Sequence, residues 1–332
     1  PNFKFLPNSI IGDIYRLFVD TFSILVLLGV FYFLARRFII QEDRLTIKDP
    51  VLLSDRAKAG MKFDSFIVGA FIIVHIGSRF LSASFEIAIH GTDWSQPAAN
   101  IVATLWSTLS PNTLTIAEHV TWWLALGLIL LFLPYFPYSK HAHLFMGPLN
   151  IMASEKRRSM AAIETIDFED EELDQFGAAQ IQHLPQTQLL DGYACIQCSR
   201  CQDACPAYET GKELSPSALE INKRYFINDN ISTIANGESI DKALTDWMLT
   251  EEAAWSCTTC GYCIEVCPVG NEPMIDILRA RQNLVMMESN FPQDAMETFE
   301  KMENYGNPWG LSPHDRENWM DGLDVPLMRE KK

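Results

Sequence analysis

Between Ala194 and Pro206 the chain reads ACIQCSRCQDACP, and between Ser256 and Pro268 it reads SCTTCGYCIEVCP. Both runs are C-x2-C-x2-C-x3-C-P, and all eight cysteines of the chain lie within them. Such a pattern limits the fold severely, because each thiol must converge with partners on a shared centre. A structural zinc ion asks for four ligands, often as two well-separated C-x2-C pairs. Disulfides suit small secreted domains rather than clustered cysteines in a chain of 332 residues. The spacing fits a third centre better. Thiolates at i, i+3 and i+6 reach three corners of one [4Fe-4S] cubane, and the fourth, carried away by the following proline, ligates the other cluster. The expected sets are Cys195, Cys198, Cys201 and Cys267 for one cluster, and Cys257, Cys260, Cys263 and Cys205 for the other.

The sequence around the cysteines predicts helices. SPSALEINKRYFIND and SIDKALTDWMLTEEAAWSC carry helical apolar spacing, with Leu219, Ile221 and Phe226, then Ile240, Leu244 and Leu249. Ser215 and Ser239 stand where N-caps belong. EPMIDILRARQNLVMME, after the second motif, reads as a further amphipathic helix. No stretch alternates like a half-buried strand, so the expected module is a helical one holding two clusters.

Composition splits the chain. The net charge of −16 argues against nucleic-acid binding. The N-terminal part is apolar instead, with three segments long enough to cross a bilayer: Leu17–Ala35, Ser65–Ile89 and Val120–Tyr138. Trp122, Trp123, Tyr135 and Tyr138 mark interfaces, which argues against helices buried in a soluble core. A cleaved signal peptide does not fit the first span. The loop after the first span carries Arg36, Arg37, Arg44, Lys48, Arg56, Lys58 and Lys62, whereas His90–Glu118 carries no Lys or Arg. Lys140, Lys156, Arg157 and Arg158 follow the third span. The positive-inside rule then places the cysteine module in the cytoplasm of a multi-pass inner-membrane protein, with thiols kept reduced. The beginning at Pro1, just before a span, leads us to expect upstream sequence.

Ionisable groups inside a span are costly and point to function. His75, Arg79, Ser82 and Glu86 share one face of the second span and suit a quinone head-group, haem propionates or a proton relay. A purely structural alternative pairs Arg79 with Glu86. His119 opens the third span and His141 and His143 close it, so two haems b, one near each membrane face, are a further expectation. His75 lies near mid-depth, counting ~1.5 Å per residue, which leaves His90 as the candidate to meet His119.

LLDGYACIQCSRCQDACPAYETGKELSP resembles the cluster module of membrane-bound, heterodisulfide-reductase-like iron–sulfur oxidoreductases, a group that includes quinone reductases fed by electron-transfer flavoprotein. WWLALGLILLFLPYFPYSKHAHLFMGPLNIM resembles the last helix and exit of that family's membrane domain, which is similar to the haem b subunit of respiratory nitrate reductase. YGNPWG, Tyr305–Gly310, and the acidic DFEDEELDQFG fit as well, and the resemblance runs from about Asp13 to Trp319. It implies an all-α protein: a transmembrane domain over residues 1–147, a cytoplasmic linker over 148–189, a helical ferredoxin-type domain over 190–305 and a tail over 306–332. It implies two [4Fe-4S] clusters, haem b, quinone (menaquinone in kind) and a flavoprotein or other cytoplasmic redox partner. Family members carry two further spans upstream and cysteine-rich repeats downstream, so partner chains or further sequence are expected to supply these. The expected activity is electron transfer from the soluble partner through the clusters to quinone. Reverse flow from quinol to a disulfide or sulfur reductase, a mere structural anchor and a transporter are the alternatives. An anchor needs no polar stripe, and no Gly/Pro-broken helix pair marks a transporter.

Overall fold

A computed structural model describes residues 9–154, 166–170 and 174–328. Lys156, Arg157 and Arg158, part of the acidic run and Pro1 lie outside the described residues. Those that are described form helices and turns, with no strand among them. Three helices are long and apolar enough to cross a membrane. They are α1 (Ile10–Ala35), α2 (Asp55–His90) and α4 (Pro111–Tyr135), with the short α3 (Pro97–Ala103) between the last two. Each long helix starts at a serine cap: Ser9, Ser54 and Ser110 accept the backbone N–H groups of Gly12, Ala57 and Thr113, as orphan first-turn donors require.

α2 is the central helix, packed against α1 on one side and α4 on the other. The outer faces stay apolar and open: Phe18, Leu25 and Leu28 on α1 and Trp123, Leu130 and Leu131 on α4 are exposed, as helices facing lipid or further helices would be. Asp20 is a carboxylate inside an apolar span, yet it is buried and accepts the N–H groups of Ala98 (2.7 Å) and Ala99 (3.0 Å) at the start of α3. Its charge therefore caps a helix.

Beyond α4 come α5 (His143–Ala153), α6 (Gln186–Ala194), α7 (Arg200–Asp203), α8 (Pro206–Glu209) and α9 (Pro216–Asp229). Then follow α10 (Ile231–Ala235), α11 (Glu251–Ser256), α12 (Tyr262–Glu265), α13 (Pro273–Met286) and α14 (Gln293–Tyr305). The expected Ser215 cap is present, its Oγ accepting the Ala218 N–H at 3.1 Å. The helix expected over Ile240–Leu249 behind Ser239 is not. Leu244–Asp246 makes one 3-10 turn, and the helix begins later, at α11, with Thr250 as its cap. Tertiary contacts explain the difference. The Leu244 N–H is spent on Ala179 O (2.7 Å), and Leu244, Trp247, Met248 and Leu249 are all buried, with Trp247 stacked on Phe226 at 3.8 Å. Four buried apolar side chains within six residues exceed what one helix face can bury.

The two halves are joined more closely than the sequence suggested. The loop between α1 and α2 enters the core of the cysteine module, where Val51, Ile47 and Leu53 pack. Asn222 on α9 clamps it, accepting the Ser54 N–H (3.1 Å) and donating to Leu52 O (2.9 Å). Gly60 sits against the Tyr225 ring, where any Cβ would meet it at 2.3 Å.

Candidate metal centre and its joint with the long helices

The two cysteine loops have one backbone design. Gln197 and Ser199 adopt φ of 57° and 62°, and at the same offsets Thr259 and Gly261 adopt 54° and 71°. Left-handed residues in such turns aim amide groups inward, as in anion-binding nests. The sulfurs receive N–H groups accordingly: Thr259 N donates to Cys257 Sγ at 3.4 Å and Asn271 N to Cys267 Sγ at 3.3 Å.

Cys195, Cys198, Cys201 and Cys267 line one cavity, partly open to solvent, with Glu220 and Asn271 beside them. Three come from the first motif and one from the second. Cys263 touches the same cavity and also neighbours Cys205, Cys257 and Cys260 electrostatically. The two groups of four are thus adjacent, with Cys263 between them. Among the described residues no three Cys, His, Asp or Glu side chains converge as on a single metal ion; a cubane, with one thiolate per corner iron, asks for a wider ring. Burial pushes the Cys195 and Cys263 thiols up to about 12. Loading iron there must therefore release protons.

Under the first loop lies a charged core that sequence reading missed. Lys223 on α9 is fully buried, donates a hydrogen bond to Asp276 Oδ2 (2.5 Å) and is ion-paired with Glu220 Oε2 at 3.1 Å. Burial pushes Asp276 up to about 6 and Glu220 above the usual carboxylate range, although Lys223 pulls both down. Asp191 shares the same cation and acts as a clip. It accepts Asn150 Nδ2 from α5 (2.7 Å) and the Glu272 N–H (3.0 Å) from the segment after Cys267. Gly147 of α5 lets Val269 approach to 3.2 Å of where a Cβ would stand. The wall of the first cavity therefore rests directly on the helix that leaves α4. The local pattern carried no signal for these charges: Glu220, Lys223 and Arg224 stand at i, i+3 and i+4, the spacing of an ordinary polar helix face.

The membrane candidates are placed separately. His75 Nδ1 lies 3.0 Å from Ala125 O on α4 and its ring stacks on Phe71. Ser82 Oγ reaches Glu118 O on α4 at 3.5 Å, while Arg79 turns to Tyr15 on α1 at 3.3 Å and is exposed. The stripe thus bridges α1 and α4 across α2, and Glu86 continues it half-buried. His119 and His143 each set Nδ1 against a carbonyl of their own segment, Thr115 O and Lys140 O, leaving Nε2 available. His141 Nδ1 is buried without a partner. His90 is exposed at the end of α2. Among the described residues no bond or ring contact joins His90 to His119, whereas the His141 and His143 rings lie 5.9 Å apart.

The 4Fe-4S dicluster domain family matches residues 191–271. The chain is 33% identical to "Probable iron-sulfur-binding oxidoreductase FadF" of Bacillus subtilis, over 98% of this chain and 50% of the relative. It is 26% identical to "EtfAB:quinone oxidoreductase" of Syntrophomonas wolfei, over 93% of this chain and 46% of that protein. It is 27% identical to "Probable membrane-anchored ferredoxin" of Chromohalobacter salexigens, over 57% and 32% respectively. The chain spans half or less of the length of these relatives. No solved structure matches it.

Proposed function

We propose that this chain, a homologue of iron–sulfur oxidoreductases with a 4Fe-4S dicluster domain at residues 191–271, is a membrane-anchored unit that carries electrons between a soluble redox partner and membrane quinone. One observation carries the reading: cysteines from both motifs meet in one cavity, and the wall of that cavity packs on α5, directly after the third long helix. Clusters bound there supply one-electron redox chemistry. The chain's own residues hold the thiolates, direct N–H groups at the sulfurs and exclude water.

In this reading Cys195, Cys198, Cys201 and Cys267 hold the cluster nearer the membrane, and Cys205, Cys257, Cys260 and Cys263 the outer one. The outer loop is the side a partner reaches, because Cys260 is exposed and Tyr262 is 53% exposed. A flavoprotein donor is supported by the relative named for electron-transfer flavoprotein and quinone. His75, Arg79, Ser82 and Glu86 are the quinone face, and His90, His119, His141 and His143 are the candidates to supply haem b ligands. Cytoplasmic placement of the cluster domain rests on the arginines and lysines after the first span.

The test is reduction of the purified membrane complex by a soluble donor, followed by addition of quinone. Iron–sulfur signals that reoxidise with quinone support the reading, and a haem b band in the same spectrum adds the haem. Two zinc ions and no acid-labile sulfide would sink it. A thiol-reactive probe applied to intact cells should label an engineered cysteine at Thr92 and spare one at Thr210, both exposed positions; the reverse would invert the topology.

A further inference from the structure

Where the long helices meet α9, the protein gathers more positive charge than it neutralises. Arg37 stands just after α1, Lys140 just after α4, and Arg224 reaches the same place from α9. Arg224 is 1% exposed. Its Nη2 donates to Ser139 O, and its Nη1 has no partner. His141 Nδ1, beside Lys140, is buried and equally unpartnered. Among the described residues the carboxylate in this joint is Asp64, 4% exposed, and both its oxygens are engaged by neutral donors: the Tyr135 hydroxyl at 2.6 Å and the Lys140 backbone N–H at 2.7 Å. The Lys140 ammonium donates to Ser65 Oγ at 3.3 Å. Arg36, by contrast, is paired with Glu42. Among the described residues Arg37, Lys140 and Arg224 form no ion pair within the joint.

Buried cations without a counter-ion are costly, and an unmet guanidinium N–H adds to that cost. Burial, with Arg37 and Arg224 close by, pulls the Lys140 pKa down although Asp64 opposes it, as expected where one carboxylate faces three cations. The level is also informative. Arg37, Lys140 and Ser65 mark the same edge of three apolar segments, which is where lipid phosphates lie when such helices span a bilayer.

We propose that Arg37, Lys140 and Arg224 form an oxyanion site at the bilayer surface that takes a phosphate group, carried by an anionic phospholipid. The phosphate accepts from the half-buried Arg37 and Lys140, with the buried Arg224 guanidinium adding its charge from behind, and so locks the cluster domain to the membrane helices through a lipid. It requires the three spans and does not depend on quinone, haem or the direction of electron flow.

Short-chain lipids test this on the delipidated full chain in detergent, with binding read by native mass spectrometry and melting temperature. Dioctanoyl phosphatidylglycerol should bind and stabilise the wild type, and dioctanoylglycerol, lacking the phosphate, should not. In Arg37→Gln and in Lys140→Gln, both at half-buried positions, affinity should fall about tenfold or more, the range of a charge-assisted hydrogen bond. Lys140→Arg should retain binding, which separates loss of charge from loss of fold. Inorganic phosphate that binds and displaces the lipid with equal affinity would keep the oxyanion site and assign it to the free ion. Equal lipid affinity in wild type and both Gln variants, or equal binding of dioctanoylglycerol, would overturn the proposal.

Discussion

The two cysteine loops share a backbone and occupy opposite surroundings. In the first, Gln197 and Ser199 are 5% and 6% exposed, and the loop sits over the buried Lys223 network. In the second, Thr258, Thr259 and Cys260 are exposed, and Arg281 closes one side by donating to Ala254 O at 2.7 Å and stacking over Trp255. Backbone geometry at the sulfurs is thus written locally, by left-handed turns at fixed offsets. Dielectric, charge and access come from what the rest of the chain places around the loop. Equal local geometry in unequal surroundings is the arrangement that gives two centres different potentials and different neighbours.

The largest effect should come from exchanging the loops' fourth cysteines. Cys205→Ser should remove the cluster of the second loop and Cys267→Ser that of the first, each losing about half of about eight irons. The electron paramagnetic resonance spectrum of Cys205→Ser should therefore match that of Cys260→Ser, and Cys267→Ser should match Cys198→Ser. The opposite matching would show each loop to be self-contained and would break the comparison at its base.

Next in size is the charge under the first loop. Lys223→Met leaves Asp276, Glu220 and Asp191 without their cation and should destabilise the domain by about 3–5 kcal/mol. First-loop signals should be lost before second-loop ones. The pH dependence follows from Asp276, whose folded pKa is raised from 3.8 to about 6. A raised carboxyl binds more protons folded than unfolded, so its contribution is full below about 3.8 and is lost as pH rises through about 6. Glu220 shifts in the same direction. Other groups held fixed, the wild-type melting temperature should therefore rise as pH is lowered from 7.5 to 6. A melting temperature that falls over this range would mean that both carboxyls are ionised in the fold.

The cysteine spacing, the three spans, the Ser215 cap and α13 were legible because each rests on local periodicity or on one residue type at fixed intervals. The helix expected behind Ser239 was misread because Leu244 bonds to Ala179, a partner 65 residues away that no window contains. Lys223 and Arg224 looked like the polar side of an amphipathic helix. They are buried because α9 is enclosed on all sides, a fact of packing. The polar stripe on α2 was visible as a face, but its division between Tyr15 of α1 and the carbonyls of α4 depends on how the helices pack.

The smallest effect concerns the left-handed turns themselves. Gly261 (φ 71°) and Ser199 (φ 62°) stand at equivalent positions, yet only the exposed loop uses glycine. A Cβ on Gly261 would meet nothing within 4 Å. Gly261→Ala should therefore cost only the backbone penalty for a non-glycine residue in this region, about 1 kcal/mol. Ser199→Gly should recover a similar or smaller amount, since glycine also gains freedom in the unfolded chain. Chemical denaturation of the cluster-loaded protein reads both. A cost several times larger at Gly261 would mean that backbone freedom is not what the glycine supplies, and that the bound cluster or a docked partner approaches closer than a methyl group allows. The two loops would then differ in contact distance as well as in surroundings, and the exposed one would be the more tightly fitted.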